Sequence, residues 1–460
     1  MIRGLSLVSI INVCLALAAC GSGSSSQADL FHERLPVFEA AVQKSFSEST
    51  VPGMAIAIVT EDQVIYIKAF GVRRQGAAVP IDTDTVFQLA SVSKSFTSAT
   101  IASLVGDDNL RWSDRIADIY PAFQLQDAAV NERMTLLDLL AHHSGLPEYA
   151  GDELISFKYE RAEMLRRLRY LPVVGFGTTY AYQNAVITAG AEAVAAKVGQ
   201  PFSNLVAKRV FEPLGMTSAS TTLAGFLAKS NRADLHVRNA TGVQVPGPPE
   251  NDDINSPAGG VSASITDMAK YAQMQLASGR FCGQQVIAEA ALAETHKPHT
   301  LKQKDANVVE AYGLCWFVRT TNGETTVYHG GDFSSGAATH IALFPARKLA
   351  LVVLTNSFPD GKPLVECIKR TLVDVLDTGH ATVDYFPDLK AGIEKGIADL
   401  AAKTEKLGNP PSPGTPAREL STYAGTYHHT YYGQVTVKVS GDHLLLVHGG
   451  STEQVPLTHW

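Results

Sequence analysis

The first part of the chain passes from a helical to a strand-like pattern of apolar residues. The segment Leu35 to Phe46 predicts a helix. Two runs rich in β-branched and aromatic residues follow, Met54 to Thr60 and Gln63 to Phe70, with only Glu61 and Asp62 between them. Short apolar runs on either side of a polar pair are typical of a β-hairpin.

The middle of the chain loses the strand pattern for roughly two hundred residues, and its apolar segments predict helices. The clearest of these helices are Leu136 to Ala141, Arg161 to Leu171, Ala185 to Val198 and Asp267 to Leu276. Strand patterns return late, and a helix follows them. These late elements are Gly313 to Thr320, Glu324 to Tyr328, Ala337 to Phe344, Leu349 to Thr355 and the helix Pro363 to Leu376.

Strands at both ends of the sequence with helices between them predict an α/β (α+β) fold. We expect one antiparallel sheet built from both chain ends and flanked by helices, with a mainly helical subdomain inserted in the middle. This main domain would span residues 31–380, and an active site would lie in the cleft between its two parts. A helix and Pro-rich linker over 381–417 and a partial β module over 418–460 complete the expected organisation.

Composition places the chain among ordinary soluble globular proteins. Of its 460 residues, 45% are hydrophobic and 18% are charged. The formal net charge of -7 gives no reason to expect nucleic acid as a partner. Neither a phosphate-binding loop nor a dinucleotide fingerprint occurs, so nucleotide chemistry has no support.

Residues 1–20 have the features of an export signal. Arg3 precedes a short apolar run from Leu5 to Ala18 that ends in small residues, and Cys20 follows. The placement of Cys20 resembles the bacterial lipoprotein signal, in which this cysteine carries the lipid, and residues 21–30 would be a flexible tether. We therefore expect a lipid-anchored protein on the periplasmic side of the envelope, with the outer membrane favoured. The alternative is a plain signal peptide with an incidental cysteine.

The remaining cysteines and histidines do not predict a metal site. Cys282, Cys315 and Cys367 have no ligand-like spacing, and we expect three buried, inert thiols with at most one disulfide. The adjacent pair His142 and His143 has no carboxylate or cysteine partner at ligand spacing. The sequence thus predicts neither a metal nor an organic cofactor.

A Ser-x-x-Lys motif carries the first candidate chemistry. If a helix begins near Ser91, then Ser91 and Lys94 lie on one face, a single turn apart. A serine is a good nucleophile only when a base takes its proton, and a lysine can be that base when burial lowers its pKa. The uncharged stretch after Lys94 favours a buried helix. The alternative is a helix cap followed by a surface lysine.

Two further stretches could face Ser91 across the cleft. Tyr182 and Asn184 lie in a loop just before a predicted helix, where a phenol can relay protons and an amide can orient a lysine or a substrate. The alternative for Tyr182 is a buried core tyrosine. His329, Gly330, Gly331 and Asp332 end a predicted strand, and their glycines allow a close backbone approach. The alternative there is a tight turn.

The order of these motifs resembles the penicillin-recognising serine hydrolases, in particular the branch with class C β-lactamases, D,D-peptidases and esterases. The resemblance covers about residues 30 to 378. It rests on Ser91-Val92-Ser93-Lys94, Tyr182-Gln183-Asn184, His329-Gly330-Gly331, Leu139 to Pro147, Phe211 to Met216 and Pro257 to Ser262.

The resemblance implies a role for each candidate residue. Ser91 would be the acylated nucleophile, and Lys94 and Tyr182 would share its proton and pass it to the leaving group. Asn184 would bind the substrate amide or hold Lys94. Backbone N–H groups of Ser91 and Asp332 would form the oxyanion hole, with Gly331 and the strand after His329 docking the acyl chain.

Position 329 departs from the pattern of many relatives, which carry lysine there. Histidine is charged only part of the time at neutral pH, so carboxylate recognition and β-lactam turnover are less assured. Asp332 is also unusual beside an oxyanion hole, where only its backbone would be needed.

Two function classes follow from the sequence. The favoured one is a monomeric serine hydrolase acting on a small molecule or peptide: a D-amino-acid peptide, an ester or a β-lactam. The other is a catalytically silent envelope protein that binds wall peptides. The segment from Leu420 to Trp460 resembles the start of a β-barrel module often appended to this family, and is either a remnant or packed on the main domain.

Overall fold

The structure is a computed structural model that describes residues 27–408 and 418–458. Within these residues the strands belong to one large sheet of eight strands, a C-terminal sheet of four, a small sheet of three and two short pairs. In chain order they are β1 (Gly53–Val59), β2 (Val64–Gly71), β3 (Val86–Gln88), β4 (His236–Arg238), β5 (Gln244–Pro246), β6 (Ser262–Ser264), β7 (Arg280–Phe281), β8 (Gln284–Gln285), β9 (Thr300–Lys304), β10 (Val308–Tyr312), β11 (Phe317–Thr321), β12 (Glu324–Phe333), β13 (Ala337–Phe344), β14 (Leu349–Thr355), β15 (Ser357–Phe358), β16 (Gly425–His429), β17 (Gly433–Ser440), β18 (His443–His448) and β19 (Val455–Leu457).

The large sheet joins the two ends of the main domain. Its eight strands have the order β2-β1-β14-β13-β12-β11-β10-β9, and every neighbouring pair is antiparallel. The N-terminal hairpin pairs with a late strand, so that Met54 of β1 faces Thr355 of β14. The predicted α/β fold, with one sheet built from both chain ends, is confirmed.

Helices cover both faces of this sheet and are the main regular elements of the chain between β3 and β9. In chain order they are α1 (Gln27–Glu48), α2 (Ser93–Gly106), α3 (Ile116–Ile119), α4 (Ala128–Arg133), α5 (Leu136–Leu140), α6 (Asp152–Ser156), α7 (Arg161–Arg167), α8 (Asn184–Val198), α9 (Phe202–Val206), α10 (Glu212–Leu214), α11 (Leu223–Leu227), α12 (Ser256–Gly259), α13 (Ile265–Leu276), α14 (Glu289–Thr295), α15 (Gly361–Thr378) and α16 (Phe386–Gly408).

Alternate residues of the central strands enter two different apolar cores. In β1, Ile56 packs in the core shared with α1 and α15, whereas Ala57 packs on the opposite face against the helical part. This alternation follows from the period of two along a strand. Phe96 of α2 belongs to the second core and is fully buried. The helix that begins near Ser91 therefore runs through the interior, as expected from its uncharged sequence.

Several predicted boundaries are corrected by the structure. The first helix begins at Gln27, so residues 27–30 of the expected tether are helical. The expected strand Gly313 to Thr320 is replaced by β10 and β11 with a turn at Gly313, and β9 was not predicted at all. Cys282 is exposed, unlike Cys315 and Cys367, so the expectation of three buried thiols is wrong for it.

The expected export signal falls outside the described residues, and so does Cys20. Within residues 27–408 and 418–458, no helix combines the length and the apolar character needed to cross a membrane. Lipid anchoring through Cys20 stays a prediction from the sequence.

Strands β16 to β19 form a four-stranded antiparallel sheet, here called the C-terminal sheet. It packs on the main domain through the turn between β16 and β17, where Tyr431 enters the core of the helical part. Of the two expected alternatives for this segment, packing on the main domain is the one that the structure has.

Candidate active site

Ser91 lies in a tight turn that leads into the buried helix α2. Residues Ala90–Val92 form a single 3-10 turn, and α2 begins directly after it. Ala90 has a φ of 49°, a left-handed conformation that costs an alanine about 1–2 kcal/mol. Such strain persists where the surrounding structure imposes it, commonly at functional sites. Ala90 and Val92 are buried, whereas Ser91 is half-buried.

The amine of Lys94 contacts three oxygens in the protein interior. Nζ donates to Asn184 Oδ1 at 2.7 Å and to the carbonyl oxygen of Ala258 at 3.0 Å. The third oxygen is Ser91 Oγ, at 3.1 Å. The Lys94 side chain is 0% exposed, so the interpretation of Lys94 as a surface lysine is wrong.

Burial controls the charge of Lys94. It lowers the pKa of Lys94 to about 8, because a buried ammonium loses its hydration, while the carboxylates of Asp252 and Asp152 act in the raising direction. Burial has the opposite effect on Asp252: it raises the pKa of that carboxyl, and the charge on Lys94 opposes this rise. The amine is thus poised to exchange a proton near neutral pH.

Asn184 links Lys94 to a second acid. It is the first residue of α8, and its Nδ2 donates to Asp152 Oδ2 at 2.7 Å. Since a carboxylate oxygen accepts, this bond orients the Asn184 amide with its oxygen toward Lys94. Burial raises the pKa of Asp152 to about 6. Of the two roles expected for Asn184, holding Lys94 is the one that this geometry supports.

Tyr182 reaches Ser91 from the loop before α8. Its side chain hydrogen-bonds Ser91, and the centre of its ring lies 4.7 Å from Lys94 Nζ. The ring of His142 packs against it at 4.5 Å between centroids. Burial raises the pKa of Tyr182 well above its ordinary value, and the bond to Ser91 opposes this only in part. The phenol therefore holds its proton at neutral pH.

Strand β12 passes beside the Ser91 turn. A Cβ at Gly331 would collide with the carbonyl oxygen of Leu89 and approach the Ser91 amide nitrogen to 3.1 Å, so this close passage requires glycine. β12 pairs with β11 only as far as Tyr328, whereas its pairing with β13 continues to Phe333. Among the described strands, the segment from 329 to 333 thus pairs along one edge only, which leaves room for an extended substrate.

His329 is buried and neutral. Its Nδ1 donates to the Gly330 carbonyl oxygen at 2.7 Å, so Nε2, 3.1 Å from the Tyr312 hydroxyl, accepts from it. Burial, and then the charge on Lys94, lower the pKa of His329 to about 3. The expectation of a ring charged part of the time at neutral pH is corrected, because the ring is out of contact with water.

The side chain of Asp332 points away from Ser91. Its carboxylate is exposed and lies 2.7 Å from Lys362 Nζ on α15. The backbone of Asp332 follows Gly331 directly and stays the predicted second donor of the oxyanion hole.

The structure brings together the side chains of Ser91, Lys94, Tyr182 and Asn184 with the backbone of Gly331. His329 lies behind them, with its ring centre 6.4 Å from that of Tyr182. The fold adds three residues to the site that the sequence did not predict: Asp152, Asp252 and Tyr312. No spacing rule connects these residues to Ser91, so sequence reasoning had no signal for them.

Comparisons with known proteins show the family of the chain. The family model described as Beta-lactamase matches residues 38–374, and one described as Domain of unknown function (DUF3471) matches residues 409–460. The chain is 27% identical over 379 residues to Penicillin-binding protein 4 of Amycolatopsis lactamdurans, covering 79% of this chain and 96% of that protein. It is 24% identical over 437 residues to the Unguisins hydrolase ungD of Aspergillus violaceofuscus, covering 86% and 75% respectively.

A solved structure has the same fold. The octameric penicillin-binding protein homologue from Pyrococcus abyssi aligns with a TM-score of 0.67 at 22% identity, covering 92% of this chain and 89% of that one. At this identity the likeness concerns the fold alone. Because the first family model spans most of the sequence, this chain belongs to the beta-lactamase family and has the fold of its penicillin-binding-protein-like serine hydrolases.

Proposed function

We propose that the protein cleaves an amide or ester bond through an acyl-enzyme on Ser91. The observation that carries this proposal is the set of oxygens around the Lys94 amine. Asn184 Oδ1 and the Ala258 carbonyl oxygen can only accept, so they take two N–H groups of the amine. In the neutral amine the remaining lone pair faces Ser91 Oγ and can take its proton.

Acylation begins with this proton transfer. Ser91 Oγ forms a bond to the substrate carbonyl carbon as its proton moves to Lys94 Nζ, and the carbonyl electron pair moves onto oxygen. The backbone N–H groups of Ser91 and Asp332 would stabilise that oxyanion. Loss of one such donor costs about 10²–10³ in rate in other hydrolases.

Tyr182 completes the proton path. As the tetrahedral intermediate collapses, the bond to the leaving group breaks, and the leaving group takes a proton from Tyr182 Oη. Lys94 Nζ then gives the proton that it took from Ser91 to Tyr182 Oη. The opposite pKa shifts support this division, since burial makes Lys94 the base and keeps Tyr182 protonated as the acid. Water then attacks the acyl-enzyme by the same steps in reverse order, which releases the acid and restores Ser91.

The charges near β12 favour esters and neutral amides as substrates. His329 is neutral, and Lys362 is already paired with Asp332. Neither residue offers an uncommitted cation to a substrate carboxylate. D-amino-acid peptides and β-lactams, which carry such a carboxylate, would be processed less efficiently by this site.

The experiment that tests the proposal is labelling with a fluorescent fluorophosphonate, followed by mass mapping of the adduct. We expect a covalent adduct on Ser91 and none on Ser91→Ala. Ser98→Ala is the matched control, since Ser98 lies in the same helix and its hydroxyl has no hydrogen-bond partner among the described residues. Absence of labelling and of turnover on an ester and amide panel, with peptide binding unchanged in Ser91→Ala, would support the silent binding protein instead.

We also propose that the chain is exported and anchored through a lipid on Cys20, as its first twenty residues indicate. In a bacterial host, Cys20→Ser would release the protein from the membrane fraction, and the wild-type N-terminal peptide would carry the mass of a diacylglyceryl group. Equal fractionation of both forms would contradict the anchor. The monomeric state stays a prediction that light scattering can check, since the Pyrococcus homologue is described as octameric.

A further inference from the structure

The C-terminal sheet contacts the main domain beside the active site. Tyr431, in the turn between β16 and β17, is only 3% exposed and belongs to the core of the helical part. Arg167 Nη1 donates to the Tyr431 carbonyl oxygen at 2.8 Å, and the Tyr159 hydroxyl donates to the Tyr432 carbonyl oxygen at 2.9 Å. The Phe157 ring stacks on Tyr432 at 5.6 Å. The contact is therefore specific and well packed.

The hydroxyl of Tyr431 caps the start of α6. It accepts from the Gly151 N–H at 2.9 Å and hydrogen-bonds the carboxylate of Glu153, in the first turn of that helix. Gly151 is the N-cap residue, with a φ of 96°, and has no side chain that could cap the helix itself. A cap oxygen contributes about 1 kcal/mol to a helix end. Here that oxygen comes from the C-terminal sheet.

The first residue of α6 is Asp152, which leads directly to the catalytic lysine. Asp152 Oδ2 accepts from Asn184 Nδ2 at 2.7 Å, and Asn184 Oδ1 accepts from Lys94 Nζ at 2.7 Å. The other oxygen of Asp152 is buried without a hydrogen-bond partner in the described residues. The position of Asp152 thus depends on the Asn184 bond and on the way in which α6 begins.

We propose that Tyr431 is a positioning residue for the reaction: its hydroxyl holds the start of α6, so that Asp152 and Asn184 keep the Lys94 amine directed at Ser91. The C-terminal sheet is then part of the catalytic apparatus. This inference rests on the proposed function, because it assigns Lys94 the role of base.

The test is Tyr431→Phe in the full-length protein, with acylation by a fluorophosphonate and hydrolysis of a p-nitrophenyl ester as readouts. We expect the acylation rate and kcat to fall about tenfold with KM unchanged, since small displacements of a catalytic group carry costs of this size. Tyr432→Phe is the matched control, because it removes the hydroxyl of the neighbouring tyrosine, whose side chain is exposed. It should keep the wild-type kcat.

A double-mutant cycle separates positioning from general loosening. If Tyr431 acts through Asp152, then Tyr431→Phe has no further effect on kcat once Asp152→Ala is present. Independent losses that multiply would overturn the inference, and so would an unchanged kcat in Tyr431→Phe. If Tyr431→Phe melts too low for assay, Glu153→Ala is the second variant, because it weakens the contact of the same hydroxyl. It should lower kcat and leave KM unchanged. An unchanged kcat in Glu153→Ala overturns the inference. An inactive, unlabelled wild type would instead refute the proposed function.

Discussion

Lys94 Nζ lies 3.1 Å from Ser91 Oγ, and its two other contacts are oxygens that only accept hydrogen bonds. This relationship determines the direction of proton transfer. A protonated amine donates to all three oxygens and leaves Ser91 unactivated, whereas the neutral amine turns its lone pair toward the serine hydroxyl. In the proposed mechanism the reactivity of Ser91 is therefore set by the protonation of one buried amine.

Lys94→Met should remove the base while it keeps most of the side-chain volume. General-base catalysis contributes about 10²–10⁴ in rate, so the acylation rate with a fluorophosphonate should fall by about 10³ at pH 8. A thermal melt shows whether the variant is folded. Lys395→Met on the exposed face of α16 is the control and should acylate at the wild-type rate. Equal acylation by Lys94→Met and wild type would exclude Lys94 as the base.

The kcat/KM for a neutral ester should rise with pH and level off above about pH 8. Below the lowered pKa of about 8 the Lys94 amine carries a proton and cannot accept that of Ser91, so activity increases as pH passes this value. Asp252 raises the Lys94 pKa through its charge. Asp252→Asn should thus move the midpoint of the profile to lower pH. A midpoint that stays in place, or moves upward, would contradict this account.

Gly331→Ala should damage the site, whereas Gly330→Ala should be tolerated. A Cβ at 331 would collide with the Leu89 carbonyl oxygen beside Ser91, but at 330 its nearest neighbour would be His340 Nδ1 at an ordinary 3.6 Å. Overpacking of this kind costs about 1–3 kcal/mol, which a shift in the urea midpoint measures. Gly331→Ala should also lose about 10² in acylation rate, because the Ser91 turn is displaced. Similar rates in the two variants would refute the close approach.

Asp332→Asn should lower the KM for substrates that carry a carboxylate. The substitution removes the ionic partner of Lys362, whose Nζ lies 2.7 Å from the Asp332 carboxylate, and leaves an uncommitted cation beside β12. We expect a KM about threefold lower for a chromogenic cephalosporin, with the p-nitrophenyl ester unchanged. Because both side chains are exposed, the effect should fade in high salt. Adding Lys362→Met to Asp332→Asn should cancel the gain, and a gain that survives would place its origin elsewhere.

Local patterns predicted most of the fold. The hairpin of β1 and β2, the late strands β13 and β14, and the helix from Gly361 to Thr378 each lie close to their expected positions, because each has a strong apolar run between turn residues. β9 was missed because its sequence, Thr-Leu-Lys-Gln-Lys, is mostly polar and exposed. It is a strand because β10 lies beside it, which no local pattern shows.

The candidate site was predictable where its geometry is local. Ser91 and Lys94 share one helical turn, so their spacing alone predicted the contact. Side-chain chemistry made Tyr182 and Asn184 candidates, and the family resemblance supplied their roles. Asp152 was not predictable, since its contact with Asn184 joins residues whose approach depends on how α6 and α8 pack. The neutral state of His329 depends on burial and is equally absent from local spacing.

The pairing of Met54 with Thr355 has a consequence for biosynthesis. When a ribosome has made α2, it must still translate more than half of the main domain before β14 is available to pair with β1. Pairing across such a span is slow compared with local helix formation. Until β14 emerges, β13, which pairs with the strand that passes Ser91, has no neighbour on its other edge, so the sheet beside Ser91 is completed only late in synthesis.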